Sequence, residues 1–180
     1  MTNKNPLLEG TNSLKVLSYI SGRPGEGILA KEIESATGIS TMGVYLALKE
    51  FEAVSYVTAD KKGKSFTYRL NHKNPQIKQF KALKNVIDIG PLVEKLKEYS
   101  EKIILFGSAA RGEDGFDSDY DLFIATEEKE SVLEVLGKFK SRRKIQAKAA
   151  GAVELADIKK NDAVFYNEVM RGITLWESEK

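Results

Sequence analysis

Two short motifs in the C-terminal half have residue types and spacing that suit phosphate and metal chemistry. Gly107 and Ser108 follow an apolar run of strand length at 102–106, and Asp119 and Asp121 begin a second such run. A glycine lets backbone N–H groups approach a phosphate closely, and the serine hydroxyl adds a donor. Alternate residues of a strand point to one face, so the two aspartates are predicted to project together.

A metal ion is expected between these two aspartates. Two carboxylates that converge beside a phosphate loop repel each other unless a cation lies between them. Mg²⁺ is often held by one or two carboxylates with substrate phosphates, so Asp119 and Asp121 are candidate ligands of Mg²⁺ or Mn²⁺. The sequence has no cysteine and His72 is its only histidine. Thiolate sites are thereby excluded, and zinc chemistry or a histidine-dependent triad is disfavoured.

Residues 107–121 closely resemble the motif of the minimal nucleotidyltransferases of the polymerase-beta superfamily. That motif is Gly-Ser, about ten residues, and then Asp-x-Asp. Here residues 109–118 separate the two parts. The resemblance covers about residues 88–177 on boundaries uncertain by a few residues. Within the connecting loop, Asp114 and Asp117 are expected to be solubilising surface residues.

The resemblance also implies roles for individual residues. Gly107 and Ser108 would hold the triphosphate of a nucleotide, most simply ATP. Asp119 and Asp121 would be the catalytic carboxylates, because they bind the metal. Arg111 is a further candidate phosphate contact, with a surface charge on a helix as the alternative reading of that residue.

One feature of the family is missing. Its active members usually carry a third carboxylate on a later strand, as a metal ligand or as the base for the attacking hydroxyl. The strand predicted at 144–150 has Gln146 and Lys148 at the candidate positions and no acid. Three alternatives stay open: an acceptor that needs no strong base, a base supplied by Glu154, or a site that binds nucleotide and has lost transfer.

The N-terminal half resembles a winged helix-turn-helix domain, because helical patterns are followed by a strand hairpin. The predicted helices are 14–20, 28–36 and 41–51, and the predicted strands are 54–58 and 65–70. In that family the third helix enters the major groove and the hairpin contacts phosphate. The candidate DNA contacts are therefore Ser40, Thr41, Tyr45, Lys49, Lys61, Lys62 and Lys64. The third helix lacks arginine, the commonest base-reading side chain, so dimerisation or protein contact is the alternative.

Positive charge is unevenly distributed along the chain. Residues 61–84 include several Lys and Arg residues and no Asp or Glu, and a second basic cluster lies at 138–144. Such asymmetry favours a polyanionic partner, and a solvated charged face is the alternative. The segment 73–87 is predicted to be a helical linker, with a separate helix starting at Pro91.

Together these features predict an α+β protein with three parts. A winged helix-turn-helix domain at 1–72 and a helical linker at 73–87 precede a small nucleotidyltransferase domain at 88–180, with a mixed sheet flanked by helices. No apolar run reaches the length needed to span a bilayer, and the N-terminus has no signal-peptide core. A cytoplasmic location without a membrane partner is the resulting expectation.

The predicted function is Mg²⁺-dependent transfer of a nucleoside monophosphate, AMP from ATP, to a hydroxyl of a protein partner. The resemblance implies a HEPN-type toxin acting in trans as that partner, an antitoxin role, and DNA binding that represses the operon. A homodimer is expected by analogy with winged-helix repressors. The alternative is a DNA-binding regulator whose degenerate nucleotidyltransferase domain only binds nucleotide or a partner. A third reading is an enzyme that modifies RNA or tRNA.

Overall fold

The structure, a computed structural model, describes residues 6–23, 25–63, 65–115 and 117–179. The chain divides into two compact units, Met1–Lys84 and Asn85–Lys180, and the division falls within one long helix, Pro75–Leu96. Each unit combines helices with a sheet, so the predicted α+β class is confirmed. Within the described ranges, no helix is both long and apolar enough to cross a membrane.

The first unit is built from short helices and a small antiparallel sheet in the strand order β1-β3-β2. Its elements are α1 (Pro6–Glu9), α2 (Asn12–Ser21), β1 (Ile28–Leu29), α3 (Ala30–Thr37), α4 (Thr41–Ala53), β2 (Val57–Lys62) and β3 (Ser65–Leu70). Gly38 ends α3 in the left-handed conformation, and the Ser40 hydroxyl accepts a hydrogen bond from the N–H of Gly43 at the start of α4. Val44, Leu48 and other apolar residues of α4 form part of the core.

Two local predictions in this unit were wrong. Residues 28 and 29 were predicted to lie in a helix, but Ile28–Leu29 form β1, and Leu29 is 37% exposed. The first hairpin strand was predicted at 54–58, whereas β2 pairs with β3 as far as Lys62 opposite Ser65. The antiparallel ladder therefore takes up most of the polar segment that was expected to be a loop, and the chain turns at Gly63, whose φ is +61°.

The second unit contains a four-stranded sheet in the order β6-β5-β4-β7. After a short 3-10 helix at Lys97–Tyr99, its elements are β4 (Lys102–Phe106), α6 (Gly107–Arg111), β5 (Tyr120–Ala125), α7 (Lys129–Lys138), β6 (Ile145–Ala150), α8 (Ala152–Asn161), α9 (Ala163–Met170) and β7 (Ile173–Glu177). β5 and β6 are parallel, and the other pairs are antiparallel. The sheet is therefore mixed.

The long helix α5 (Pro75–Leu96) corrects the predicted break before Pro91. A proline inside a helix removes one backbone hydrogen bond and typically costs about 3 kcal/mol. On either side of it, Ile89, Leu92 and Leu96 are almost fully buried in the core of the second unit. Because this apolar face continues through the proline, packing offsets the lost hydrogen bond and the helix does not end.

The two central strands of the second unit are covered on both faces. Ile103 and Leu105 belong to a core with α5 and α7, whereas Ile104 and Phe123 point to the other side, toward residues of α8 and α9. This two-sided burial explains the continuous apolar runs that the sequence shows. It also makes β4 and β5 a rigid support, from whose adjacent ends the polar motifs emerge.

Candidate active site

The phosphate-loop motif and the aspartate motif meet at one end of the sheet. β4 and β5 are antiparallel, and Phe106 at the end of β4 is paired with Asp121 near the start of β5. Gly107 follows at once with φ of +68°. A Cβ atom on Gly107 would clash with Oδ2 of Asp121 and lie only 3.3 Å from its Cγ. The close approach and the left-handed backbone together require glycine at this position.

The two aspartates are near enough to repel each other. Burial raises the pKa of Asp121, and the charges of Asp119 and then Glu168 raise it further. The side chain of Asp119 is 22% exposed. Electrostatic repulsion in a partly desolvated site is the condition that a divalent cation relieves.

Asp119 and Asp121 are the side chains of this site that could hold a divalent cation. Asp119 and Asp121 supply carboxylate oxygens, which are the ligands that Mg²⁺ prefers. Within residues 6–23, 25–63, 65–115 and 117–179, no group of three His, Cys, Asp or Glu side chains could hold a metal. An ion bound by this pair would therefore take its remaining ligands from molecules other than these side chains.

The strand expected to carry a third acid presents an amide instead. Gln146 of β6 is the register partner of Asp121, and its side-chain Nε2 donates a hydrogen bond to Oδ2 of Asp119. Lys144 Nζ is 3.8 Å from the same oxygen. Glu154 lies at the start of α8, where it accepts a hydrogen bond from the Gly151 N–H at 3.1 Å and pairs with a lysine of α7.

Ser108 and Arg111 lie on α6, immediately after the close approach at Gly107. The Ser108 carbonyl accepts a hydrogen bond from the N–H of Glu113 at 2.9 Å. Arg111 Nε is 3.0 Å from a carboxylate oxygen of Glu113, and its Nη1 is 3.5 Å from Glu168. The hydrogen bond with Glu113 raises the pKa of Arg111. A phosphate that bound Arg111 would therefore have to compete with two carboxylates.

The sequence did not indicate a buried polar network that contacts the segment leading into the aspartate motif. Asp114, expected to be an exposed loop residue, is only 6% exposed. Its carboxylate is 3.0 Å from Arg143 Nη1 and accepts a hydrogen bond from Asn85 Nδ2 at 3.0 Å. Arg143, counted among a basic surface cluster, has a side chain only 12% exposed. These contacts join residues far apart in the chain, and no local pattern indicates them.

The same guanidinium contacts the backbone that leads into the aspartate motif. Arg143 Nε donates to the Ser118 carbonyl at 2.6 Å, and Nη2 donates to the Asp119 carbonyl at 3.0 Å. Its central carbon is 4.1 Å from the centre of the Tyr120 ring. Burial, followed by the charge of Asp88, raises the pKa of Tyr120 to about 12, so the phenol stays neutral.

The candidate DNA contacts at the start of α4 and along it are exposed, and some of them already have partners within the protein. Ser40 caps α4, Thr41 donates a hydrogen bond to Glu34 at 2.9 Å, and Lys49 pairs with Glu52 at 3.1 Å. Tyr45 is 47% exposed on the same helix. Because the ammonium group of Lys49 is paired with the Glu52 carboxylate, a DNA phosphate that contacted Lys49 would have to displace Glu52.

Of the hairpin lysines, only Lys61 is described in full, and it is exposed. The backbone of Lys62 belongs to β2. The side chain of Lys62 and the whole of Lys64 lie outside the described residues. The basic segment is also less uniform than its composition indicates, because Lys81 is only 3% exposed.

Comparison with known proteins identifies the second unit. The family model of the polymerase beta nucleotidyltransferases matches residues 91–180, and the chain belongs to that family. No curated protein matches the chain. Among solved structures, the archaeal chromatin protein TrmBL2, described as showing a novel mode of DNA binding, is 15% identical. That match covers 89% of this chain and 71% of TrmBL2 at a TM-score of 0.28, which carries no argument about fold or function.

Proposed function

We propose that the protein is a Mg²⁺-dependent nucleotidyltransferase that transfers a nucleoside monophosphate, AMP from ATP, to a hydroxyl. One observation carries the proposal: Asp121 lies so close to Gly107 that a side chain on the glycine would displace its carboxylate, and the charge of Asp119 acts on the same carboxylate. Two repelling carboxylates against a glycine turn suit a metal-bound triphosphate better than they suit a stable fold. Membership of the polymerase beta family supports the same reaction class.

Each residue of the site would have a distinct role in the reaction. Asp119 and Asp121 would hold the Mg²⁺, which when bound supplies Lewis-acid polarisation of the α-phosphate and stabilises the departing pyrophosphate. Gly107 permits close approach of the backbone to the triphosphate, and Ser108 adds a hydroxyl donor. Arg111 would exchange its carboxylate partners for a phosphate oxygen when nucleotide binds.

The acceptor hydroxyl must lose a proton, and β6 offers no carboxylate for this step. Gln146 is neutral and already donates to Asp119, so it orients a metal ligand and cannot act as a base. Loss of a general base typically lowers the rate by about 10²–10⁴-fold. We therefore expect slow transfer, or an acceptor that carries its own base near the hydroxyl.

We further propose that the acceptor is a protein, in the manner of an antitoxin that modifies a HEPN-type toxin in trans, and that the first unit is a winged helix-turn-helix that binds DNA. The element order α2, α3, α4 and the β2–β3 hairpin, with Tyr45 and Lys61 exposed, supports this reading. A homodimer and a cytoplasmic location belong to the same proposal.

Transfer is tested by incubating the purified protein with α-labelled ATP and Mg²⁺, with and without cell extract. The double variant Asp119→Ala/Asp121→Ala removes the carboxylates, and Asp117→Ala, an exposed aspartate of the same loop, is the matched control. We expect label on a protein band with the wild type and the control, and none with the double variant. Label on RNA instead would contradict the protein acceptor and support RNA modification.

A second candidate function is a DNA-binding regulator whose nucleotidyltransferase domain only binds nucleotide or a partner. Gln146 and Lys148 favour it, since they occupy the β6 positions at which an acid was expected. This candidate predicts no labelled product with any acceptor, while ATP binding persists and depends on Asp119 and Asp121. Salt-dependent DNA binding does not separate the two candidates, because both predict it.

A further inference from the structure

We propose that Arg143 is a positioning residue for the metal site, and that the buried network of Arg143, Asp114 and Asn85 sets the location of Asp119. This inference rests on the proposed function, because it concerns the binding of a divalent cation and nucleotide at the aspartate pair. It assigns a role to residues that do not themselves contact the reacting groups.

The guanidinium is bound in a way that leaves it little freedom. It donates to the carbonyls of Ser118 and Asp119, to Asn85 Oδ1 at 3.1 Å and to Asp114 Oδ2 at 3.0 Å. Its central carbon also lies over the Tyr120 ring. Only the planar fork of arginine can satisfy partners in so many directions at once, and lysine has no equivalent geometry.

These contacts end at the first residue of the aspartate motif. Asp119 precedes β5 and lacks the regular ladder that holds Asp121, so its backbone depends on other partners. The hydrogen bond from Arg143 to the Asp119 carbonyl supplies one, and the hydrogen bond from Gln146 orients its side chain. Asp114 and Asn85 in turn hold the arginine. Asn85 is itself fixed to α6, since its side-chain amide also donates to the Ala109 carbonyl at 2.9 Å. The network therefore joins the segment after the glycine motif to the segment before the aspartates.

A positioning role and a simple charge effect predict opposite changes in Mn²⁺ affinity when Arg143 is replaced by a neutral residue. A guanidinium close to metal ligands repels a cation, so electrostatics alone predicts tighter Mn²⁺ binding when Arg143 loses its charge. Positioning predicts weaker binding, because Asp119 loses its fixed location. Outer-shell substitutions at metal sites typically lower affinity by about 10–100-fold.

The experiment measures Mn²⁺ affinity by the electron paramagnetic resonance signal of free Mn²⁺, with a non-hydrolysable ATP analogue present and well below each variant's melting temperature. Arg143→Lys keeps the charge, Arg143→Met removes it, and Arg142→Met is the matched control at the exposed neighbour. We expect both Arg143 variants to lose about tenfold or more in affinity and the control to match the wild type. Asn85→Ala removes a neutral partner of Arg143 and leaves both carbonyl contacts available. It is expected to show a smaller loss transmitted through Arg143 without a change of charge, and it tests the network should the Arg143 variants not fold.

Two results overturn the inference and are distinguishable from each other. Folded Arg143→Lys and Asn85→Ala proteins that bind Mn²⁺ as tightly as the wild type, at a lower melting temperature, would show that the network supports only the fold. A wild type that binds Mn²⁺ no better than the Asp119→Ala/Asp121→Ala double variant would instead refute the proposed metal site, and the positioning role with it.

Discussion

Replacing Gly107 with alanine should damage ligand binding far more than it damages the fold. The substitution adds a Cβ to a residue with φ of +68°, and that atom clashes with Oδ2 of Asp121. Holding an L-residue in the left-handed region costs about 1–2 kcal/mol. The clash falls on the end of a flexible side chain, so the fold can relieve it by rotating Asp121 away. That rotation removes one of the two carboxylates from the proposed metal site.

The magnitudes are therefore expected to differ between the two measurements. For a chain of this size, 1 kcal/mol corresponds to about 2–4 °C in melting temperature, so the strain predicts a loss of roughly 2–8 °C by calorimetry. Mn²⁺ affinity in the presence of an ATP analogue should fall by at least about tenfold, since weaker outer-shell changes already cost this much.

Gly38→Ala provides the matched control. Gly38 has φ of +69°, and an added Cβ there would meet nothing within 4 Å. The same backbone strain should lower the melting temperature by a similar amount while Mn²⁺ affinity stays unchanged. Gly107→Ala protein that binds Mn²⁺ within twofold of the wild type would refute the claim that the glycine makes room for Asp121.

Three further outcomes are expected. The pKa of Asp121 is raised in the folded state, so the charge of this carboxylate destabilises the fold as pH rises above the ordinary pKa of 3.8. In the absence of divalent cations, Asp121→Asn should therefore have a higher melting temperature than the wild type at pH 7. The difference in melting temperature should shrink as the pH is lowered. The pKa of His72 is lowered by burial and then by Lys81, and its neutral Nε2 accepts the Gly25 N–H at 2.9 Å. Thermal stability should accordingly fall as pH drops below about 6.5, and less so in His72→Gln, as melting curves would show. If the hairpin contacts DNA, Lys61→Ala should reduce the slope of log affinity against log salt by about 0.9, measured by fluorescence anisotropy; an unchanged slope would exclude that contact.

Much of the second unit could be predicted because its signals are local. The apolar runs at β4 and β5 match strands buried on both faces, and the polar residues that follow or precede them are adjacent in sequence. The antiparallel pairing of β4 with β5 then brings Gly107 beside Asp121, as the motif spacing indicates. In the first unit, Gly38 and Ser40 mark the helix boundaries through backbone conformation and capping, which also depend on neighbouring residues only.

Other features could not be predicted, because distant residues decide them. Pro91 predicts a helix start from its own chemistry, yet the buried residues on either side of it keep α5 continuous. In the sequence, Asp114 and Arg143 are both typical of surface charges. Each is buried because folding places Arg143 Nη1 within 3.0 Å of Asp114 Oδ2. A charge is expensive to bury alone and acceptable when paired, so its environment depends on which partner the fold supplies.

The types and spacing of a few residues thus predicted a candidate site from the sequence, and the pairing of β4 with β5 brings Asp121 beside Gly107. The contacts that hold Asp119 in place could not be predicted from the sequence. The amide of Gln146 and the guanidinium of Arg143 reach Asp119 from β6 and the residues just before it, across the parallel pairing of β5 with β6. Contacts of that kind form only when the sheet assembles, because nothing in the intervening chain requires those side chains to meet.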